Sequence, residues 1–423
     1  MISRDRAEHS PSDLNLGGLS RRGLFGAVAG SSAAAVVAAS ATGSGAVAAA
    51  ASTPSPGGDT VDGRETIAFH GAHQAGVTAV DQAHETLVAL DLRDTVDGKP
   101  IDREALGRMM RLLSDDAARL SAGRAALADL EPELADAPSR LAFAFGFGPR
   151  FVSVAGGAVP LWLAPLPAFT VDRLDPAVSD GDLLIVVSSD DPLTNAHATR
   201  MLLKDAARFA TVRWTQRGFR RARGAVPDGT TMRNLFGQVD GTVGPHPGDT
   251  AYEEAVWIDD PAARWLTGGT SMVIRRIAMN LDDWDLLGRS DREHAMGRRL
   301  DTGAPVTGGV EHDELDLAAT DSLGFPIVKP WAHARRARVD DPAKRISRRG
   351  FNYDDGPQAP DDSGHGLVFI SVQADPLLQY VPIQRRLDEL DLMNRWTTPV
   401  GSAVFAIAPG CDRGGYVGET LLG

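Results

Sequence analysis

The stretch His84–Leu92, HETLVALDL, is alternating and rich in strand formers, so it reads as a β-strand. After it, residues 102–130 carry Leu106, Met109, Met110, Leu113 and Ala117 at helical spacing. Residues 141–147 (LAFAFGF) alternate again, and residues 182–188 (DLLIVVS) form a short apolar run of the kind a buried strand shows. A helix over 195–210 and a strand over 210–216 (ATVRWTQ) complete the set. The order is strand, helix, strand, strand, helix, strand, which is the ferredoxin-like arrangement. The second half repeats it more loosely, with strands at 270–279, 366–373 and 403–408 and helices at 282–298 and 382–392. The fold class is therefore α+β, two ferredoxin-like domains at 65–245 and 246–423, with the junction near 243–255. Between helix and strand of the second half lies a polar stretch, 301–365, and so long an excursion in a compact domain is usually functional.

The chain has 423 residues and a formal net charge of -13. That charge is spread without a basic stripe, which argues against nucleic acid and anionic membrane surfaces and leaves a small molecule as the expected partner. The single cysteine, Cys411, excludes an internal disulfide and thiolate metal clusters; in its Pro-Gly-Cys-Asp turn it reads as passive. At the N-terminus, Ser20-Arg21-Arg22-Gly23-Leu24-Phe25 precedes a weakly apolar run of Ala, Gly, Ser and Val. This reads as a twin-arginine export signal over residues 1–51, followed by a linker at 52–64. The run holds too little Leu, Ile or Phe for a membrane anchor. The expectation is export through the twin-arginine translocase to the periplasm or beyond, with no stable membrane insertion once the signal is removed.

The segment Asn234-Leu235-Phe236-Gly237-Gln238-Val239-Asp240-Gly241-Thr242 sets a carboxylate between two glycines. Alone, Asp-Gly is a common turn. Of the ten histidines, His333 stands apart, because it lies in the long polar stretch after Lys329-Pro330-Trp331-Ala332 and before a run of arginines. Further blocks are Phe69-His70-Gly71-Ala72-His73-Gln74-Ala75-Gly76-Val77, the Arg298 to Gly308 segment, and Arg348-Arg349-Gly350-Phe351-Asn352-Tyr353. Taken in order, these blocks and the closing Ala408-Pro409-Gly410 and Gly414-Gly415-Tyr416 resemble the dye-decolourising peroxidases of the exported, twin-arginine type, over residues 66–420.

The resemblance implies a fold of the dimeric α+β barrel type with one haem b in the C-terminal half and His333 as the iron's axial ligand. It implies Asp240 and Arg348 on the other face of the haem, where an acid can shuttle the peroxide proton and a guanidinium can steady developing charge. Gly241, Thr242 and Val243 would skirt the haem edge, and Arg298 would meet a propionate. The acceptor for the second nitrogen of His333 is left open. Trp331 and Tyr353 are candidate electron relays, with an ordinary core role the more expected for each. Three departures stand out: Gln238-Val239 replaces the family's Phe-Lys, Gly244 stands where an Asn is common, and Arg338-Val339-Asp340 replaces Asn-Pro-Arg. The implied activity is reduction of hydrogen peroxide with one-electron oxidation of bulky dyes or phenolics. The alternative is a haem-binding protein that releases haem iron, with incidental peroxidase activity. A homo-oligomer is left open.

Overall fold

The computed structural model describes residues 63–356 and 364–423, so the twin-arginine signal and nearly all of the linker lie outside the described residues. In the first half, β1 (His84–Leu92), α1 (Arg103–Ser121), β2 (Ala142–Phe147), β3 (Leu183–Ser189), α2 (Pro192–Ala206) and β4 (Ala210–Phe219) follow one another. All strand pairings are antiparallel and the sheet order is β2-β3-β1-β4, the ferredoxin-like order. Each helix starts on an aspartate: Asp102 accepts from the Ala105 amide at 2.8 Å and Asp191 from the Thr194 amide at 2.7 Å. The expected helix over 102–130 stops at Ser121. There the Ala122 amide turns back to Arg119, and the Leu127 amide is drawn onto Asp116 Oδ1 at 2.7 Å, folding the remainder across the helix end.

The second half holds β5 (Thr270–Met279), α3 (Leu281–Asp285), α4 (Arg289–Met296), α5 (His333–Ala337), β6 (Ser347–Arg348), β7 (Phe351–Asp354), β8 (His365–Gln373), α6 (Tyr380–Leu390) and β9 (Thr397–Ile407). Its order, β9-β5-β8-β7, repeats the first half. Two sequence expectations change here. The single helix over 282–298 is two helices, because Gly288 takes an extended conformation between them and Gly297, at φ 87°, ends the second. The strand the second half lacked is β7, hidden inside the polar 301–365 stretch.

The halves join along both edges. β9 pairs with β2 at Ala406↔Phe147 and Ile407↔Gly146, and β4 meets β7 at Phe219↔Asn352. With β5 also paired to β8, the sheets close on themselves. Because successive side chains in a strand face opposite ways, most strands are buried on both faces, β4 being exposed along one of them. Leu87, Ala89, Leu184, Val186, Met272, Ile274, Ile370 and Phe405 fill the interior between the sheets. Val88, Leu90, Phe143, Phe145 and Ile185 face outward and pack under α1 with Met109, Met110 and Leu113.

The HQAG block serves this seam. Gln74, 3% exposed, donates to the carbonyls of Phe145 (3.1 Å) and Ala408 (2.9 Å) and accepts from the Phe145 amide (2.7 Å), so one side chain stitches β2 to the end of β9. Gly76 lies against the backbone of β2, where an added Cβ would sit 2.7 Å from the Ala144 nitrogen.

Candidate active site

The apolar outer face of β5 and β8 supplies Ile277, Met279, Leu367 and Phe369 to a cavity of about 260 Å³. The 234–244 segment, α5, β6 and α6 close it. The 234–242 segment is a tight turn. Arg233 bridges Val239, the Gly237 amide donates to the Asn234 carbonyl at 2.9 Å, and Gly237 has φ 79°. Gly241, at φ 116°, occupies backbone space that side chains disfavour. The Phe236 ring rests on Trp284 of α3 at 4.6 Å, and the Trp284 indole donates to the Phe236 carbonyl at 3.2 Å. A buried aromatic contact therefore fixes the turn from behind.

That turn aims Asp240 into the cavity. Its Oδ1 accepts from Arg348 Nη1 at 3.2 Å and its Oδ2 from Asn234 Nδ2 at 3.2 Å. Arg348 Nη2 also donates to the Val243 carbonyl at 3.2 Å. Asn234 was not singled out in the sequence; its position six residues before Asp240, at the start of the turn, was the available signal. Gly241, Thr242 and Val243 all line the cavity. The Thr242 hydroxyl and the Thr231 hydroxyl donate to Glu311 Oε1 at 3.0 and 2.5 Å, which latches the turn to the 301–346 excursion.

His333 is the first residue of α5 and lines the same cavity. Its Nδ1 donates to Asp391 Oδ2 at 2.6 Å, and Asp391, 7% exposed, also accepts from the Met393 amide at 3.0 Å. Nδ1 is thereby committed, and Nε2 is the nitrogen left to a ligand. Burial alone pulls the imidazole's affinity for a proton down, but the charge and hydrogen bond of Asp391 prevail and hold its pKa above the ordinary value. Asp391 is the acceptor that the sequence left open. In the chain it looks like any aspartate capping a short turn.

Arg298 lines the cavity as well. It is 8% exposed, and its Nη1 donates to the carbonyls of Gly303 (2.9 Å) and Glu311 (2.6 Å) and its Nη2 to that of Asp313 (3.1 Å). It clamps the loop through both terminal nitrogens while lining the cavity. Arg345 also lines the cavity, and among the described residues no carboxylate lies within ion-pair distance of it. Arg338 and Val339 also line the cavity, with Arg338 held by Glu314 at 2.7 Å and Asp340 at 2.9 Å. Tyr353 is 1% exposed and packs in the closed interior between the sheets, whereas Trp331 is 41% exposed. Burial first, then Glu419 and Asp412, push the Cys411 thiol up to about 11, so it is a poor nucleophile at neutral pH. Among the described residues there is no cluster of three or more side chains able to hold a bare metal ion, and no helix is long and apolar enough to cross a membrane.

Residues 74–220 match the family model described as Dyp-type peroxidase, N-terminal, and residues 231–412 match that described as Dyp-type peroxidase, C-terminal. The chain belongs to the Dyp-type peroxidase family. The crystal structure of a DyP-type peroxidase from Cellulomonas bogoriensis is 50% identical and superposes with a TM-score of 0.81, over 85% of this chain and 99% of that one. An oxyferrous complex of DtpA from Streptomyces lividans is 40% identical, with a TM-score of 0.80 over 86% and 99%. The dye-decolorizing peroxidase of Thermobifida fusca is 36% identical over 363 residues, 83% of this chain and 84% of the relative. This Dyp-type peroxidase therefore has two ferredoxin-like halves, of which the second carries the cavity.

Proposed function

We propose that this peroxidase reduces hydrogen peroxide at haem b seated in the C-terminal cavity, with His333 as the protein ligand to iron and Asp240 and Arg348 handling the peroxide. The cofactor is haem, and the residues present suit it. The walls are apolar, as a flat macrocycle requires, and Nε2 of His333 is free of protein partners because Asp391 holds Nδ1. A carboxylate behind the imidazole raises its basicity as a ligand and fixes its ring. Arg345 would meet a propionate at the cavity wall. When bound, haem supplies the redox-active iron that accepts oxidising equivalents from peroxide and passes them on one electron at a time.

The chain's own residues manage protons and charge. Asp240 accepts the proton from one peroxide oxygen and returns it to the other, which leaves as water; a single carboxylate within reach of both atoms suffices. Asn234 holds Oδ2 so that the carboxylate does not rotate away. Arg348, paired at 3.2 Å, steadies negative charge as the O–O bond breaks. Overall, peroxide, two protons and two electrons give two waters, with the electrons drawn singly from bulky dyes or phenolics. The observation that carries this reading is the convergence in one apolar cavity of a carboxylate–guanidinium pair and a carboxylate-oriented imidazole. That pair, set to move one proton between the two peroxide oxygens and to steady charge as their bond breaks, favours peroxide chemistry over haem-iron release, which would instead need two protons delivered to the porphyrin nitrogens.

The purified protein should show a Soret band and bleach an anthraquinone dye on adding peroxide. Asp240→Asn and Arg348→Leu should keep the band and slow the reaction with peroxide by about 10²–10³. His333→Ala should lose haem. Full peroxide reactivity in both Asp240→Asn and Arg348→Leu would remove the assignment, and iron-free porphyrin as the main product would establish the alternative. Export by the twin-arginine route, supported by Ser20–Phe25 as a sequence pattern, predicts that replacing Arg21 and Arg22 together by Lys leaves the precursor in the cytoplasm.

A further inference from the structure

Arg348 has a neighbour whose side chain leaves in the other direction. Successive residues of an extended segment face opposite sides, so where Arg348 enters the cavity, Arg349 points into the N-terminal half. There it is 8% exposed and held by four groups from a single segment at the start of β1. Nη1 donates to the Ala79 carbonyl at 3.1 Å and Nη2 to Gln82 Oε1 at 2.7 Å, while Nε lies 3.1 Å from Asp81 Oδ1 and 3.4 Å from Glu85 Oε2. Gln82 and Glu85 are 1% and 3% exposed, so this is a built receptacle and not a surface ion pair. A second arginine tightens it. Arg220 of the N-terminal half pairs with the same Asp81, donates through Nε to the Gly350 carbonyl at 2.7 Å, and lies over the Phe351 ring at 4.6 Å.

We propose that Arg349 is a positioning residue for peroxide reduction: anchored in the Asp81–Gln82–Glu85 receptacle of the N-terminal half, it fixes the β6 backbone so that Arg348 meets Asp240. The short strand gives this anchor its importance. β6 has only two residues, paired to β8 at Arg348↔Ser371 and Ser347↔Val372, so its ladder alone is a weak hold on the guanidinium. Arg348 reaches Asp240 and Val243 at 3.2 Å in each case, contacts that a backbone shift of an ångström would break. The start of β1, which lies outside the cavity wall, thus acts on the chemistry by holding one buried side chain. Burial alone would raise Asp81's pKa, yet Arg349 and Arg220 hold it below the ordinary carboxylate value, whereas at Glu85 burial prevails over Arg349 and the pKa is raised.

The inference rests on the distal role given above to Arg348, and the test separates the two. The second-order rate of the haem-loaded protein with hydrogen peroxide is measured by stopped flow for wild type, Arg348→Leu, Arg349→Leu and the double variant, each checked for an unchanged Soret band. Displacing a catalytic group by about an ångström costs on the order of 10²-fold, so Arg349→Leu should lose about ten- to a hundredfold in rate. In the Arg348→Leu background the same change should cost less than about twofold, because nothing remains to be positioned. A general loosening of the fold would instead multiply the two losses. Equal cost of Arg349→Leu in both backgrounds, or no cost in either while Arg348→Leu is slow, overturns the positioning role and leaves the distal assignment intact. A fast Arg348→Leu overturns both. If Arg349→Leu fails to retain haem, Asp81→Asn, which keeps shape and removes one charge, is carried through the same cycle. A few-fold loss confined to the Arg348 background supports the role, and a loss equal in both backgrounds, or none, ends it.

Discussion

Replacing Asp391 by Asn is the sharpest probe of how the protein tunes its cofactor. The side chain is nearly isosteric, and its Oδ1 can still accept from the Met393 amide, now at 3.0 Å, so the turn leading to β9 should survive. What disappears is a buried negative charge 2.6 Å from Nδ1 of His333. A carboxylate there makes the imidazole a stronger donor and favours the more highly charged ferric iron over the ferrous. Loss of such an outer partner typically changes metal affinity by about 10–100-fold. If that factor falls mainly on the ferric state, the midpoint potential rises by about 60–120 mV, at about 59 mV per tenfold for one electron. Spectroelectrochemical titration of the Soret band reads this directly. A midpoint within about 20 mV of wild type, about a twofold effect on that scale, with haem fully retained, would show that Asp391 only orients the ring.

Three other outcomes follow from the geometry. Gln74→Leu should lower unfolding free energy by about 3 kcal/mol, since it strands three buried backbone groups of the β2–β9 seam; denaturant unfolding of the holoprotein checks it, and a loss under about 1 kcal/mol would mean the seam heals itself. Arg298→Met should open the 303–313 loop to limited proteolysis while the Soret band persists, and loss of haem with an intact loop would establish the propionate role. Asp205 has its pKa raised to about 7, by burial and then by the charge of Asp116. A carboxyl whose folded pKa is raised contributes stability that is fully present below its unfolded pKa of about 3.9 and is lost as pH rises through about 7. Asp205→Asn should therefore flatten the fall in melting temperature between those limits and raise it at pH 7.5 by one or two degrees (roughly); a variant curve parallel to wild type excludes the effect.

Much of the architecture was open to reading because most strands are buried on both faces. Residues 182–188 are an apolar run, and Thr270–Met279 is mostly apolar despite Arg275 and Arg276 at its middle; the bounds of both fall within a residue of the observed strands. β7 escaped because its four residues, FNYD, have no periodicity, and its identity comes from pairing with β8 and from touching β4. The helix over 282–298 escaped division because amphipathic spacing continues across Gly288 although the backbone does not. At the site, the segment around Asp240 announced itself by two glycines. Asp391 and Glu311 did not, since each acts through one long-range hydrogen bond that sequence spacing does not encode.

The position of the cavity follows from comparing the two halves strand by strand. In a ferredoxin-like unit the helix after the first strand covers one face of the sheet. In the N-terminal half α1 does so, and Met109, Met110 and Leu113 fill the face beneath with Phe143, Phe145 and Ile185. In the C-terminal half the equivalent connection is broken into α3 and α4 and then leaves on the 301–346 excursion, which returns only the short α5. Ile277, Met279, Leu367 and Phe369 on the corresponding sheet face are therefore only partly covered, by α6 and the short α3 and α4, and become cavity wall. An apolar face of that size is costly to leave against water. In the function proposed above, haem would lie against this face, and α5, carrying His333 at its first residue, would hold it. On this view haem is a structural element of the second half as well as its reactive centre, so removing it should destabilise that half preferentially, which hydrogen exchange in β5 and β8 compared with β1 and β3 would resolve.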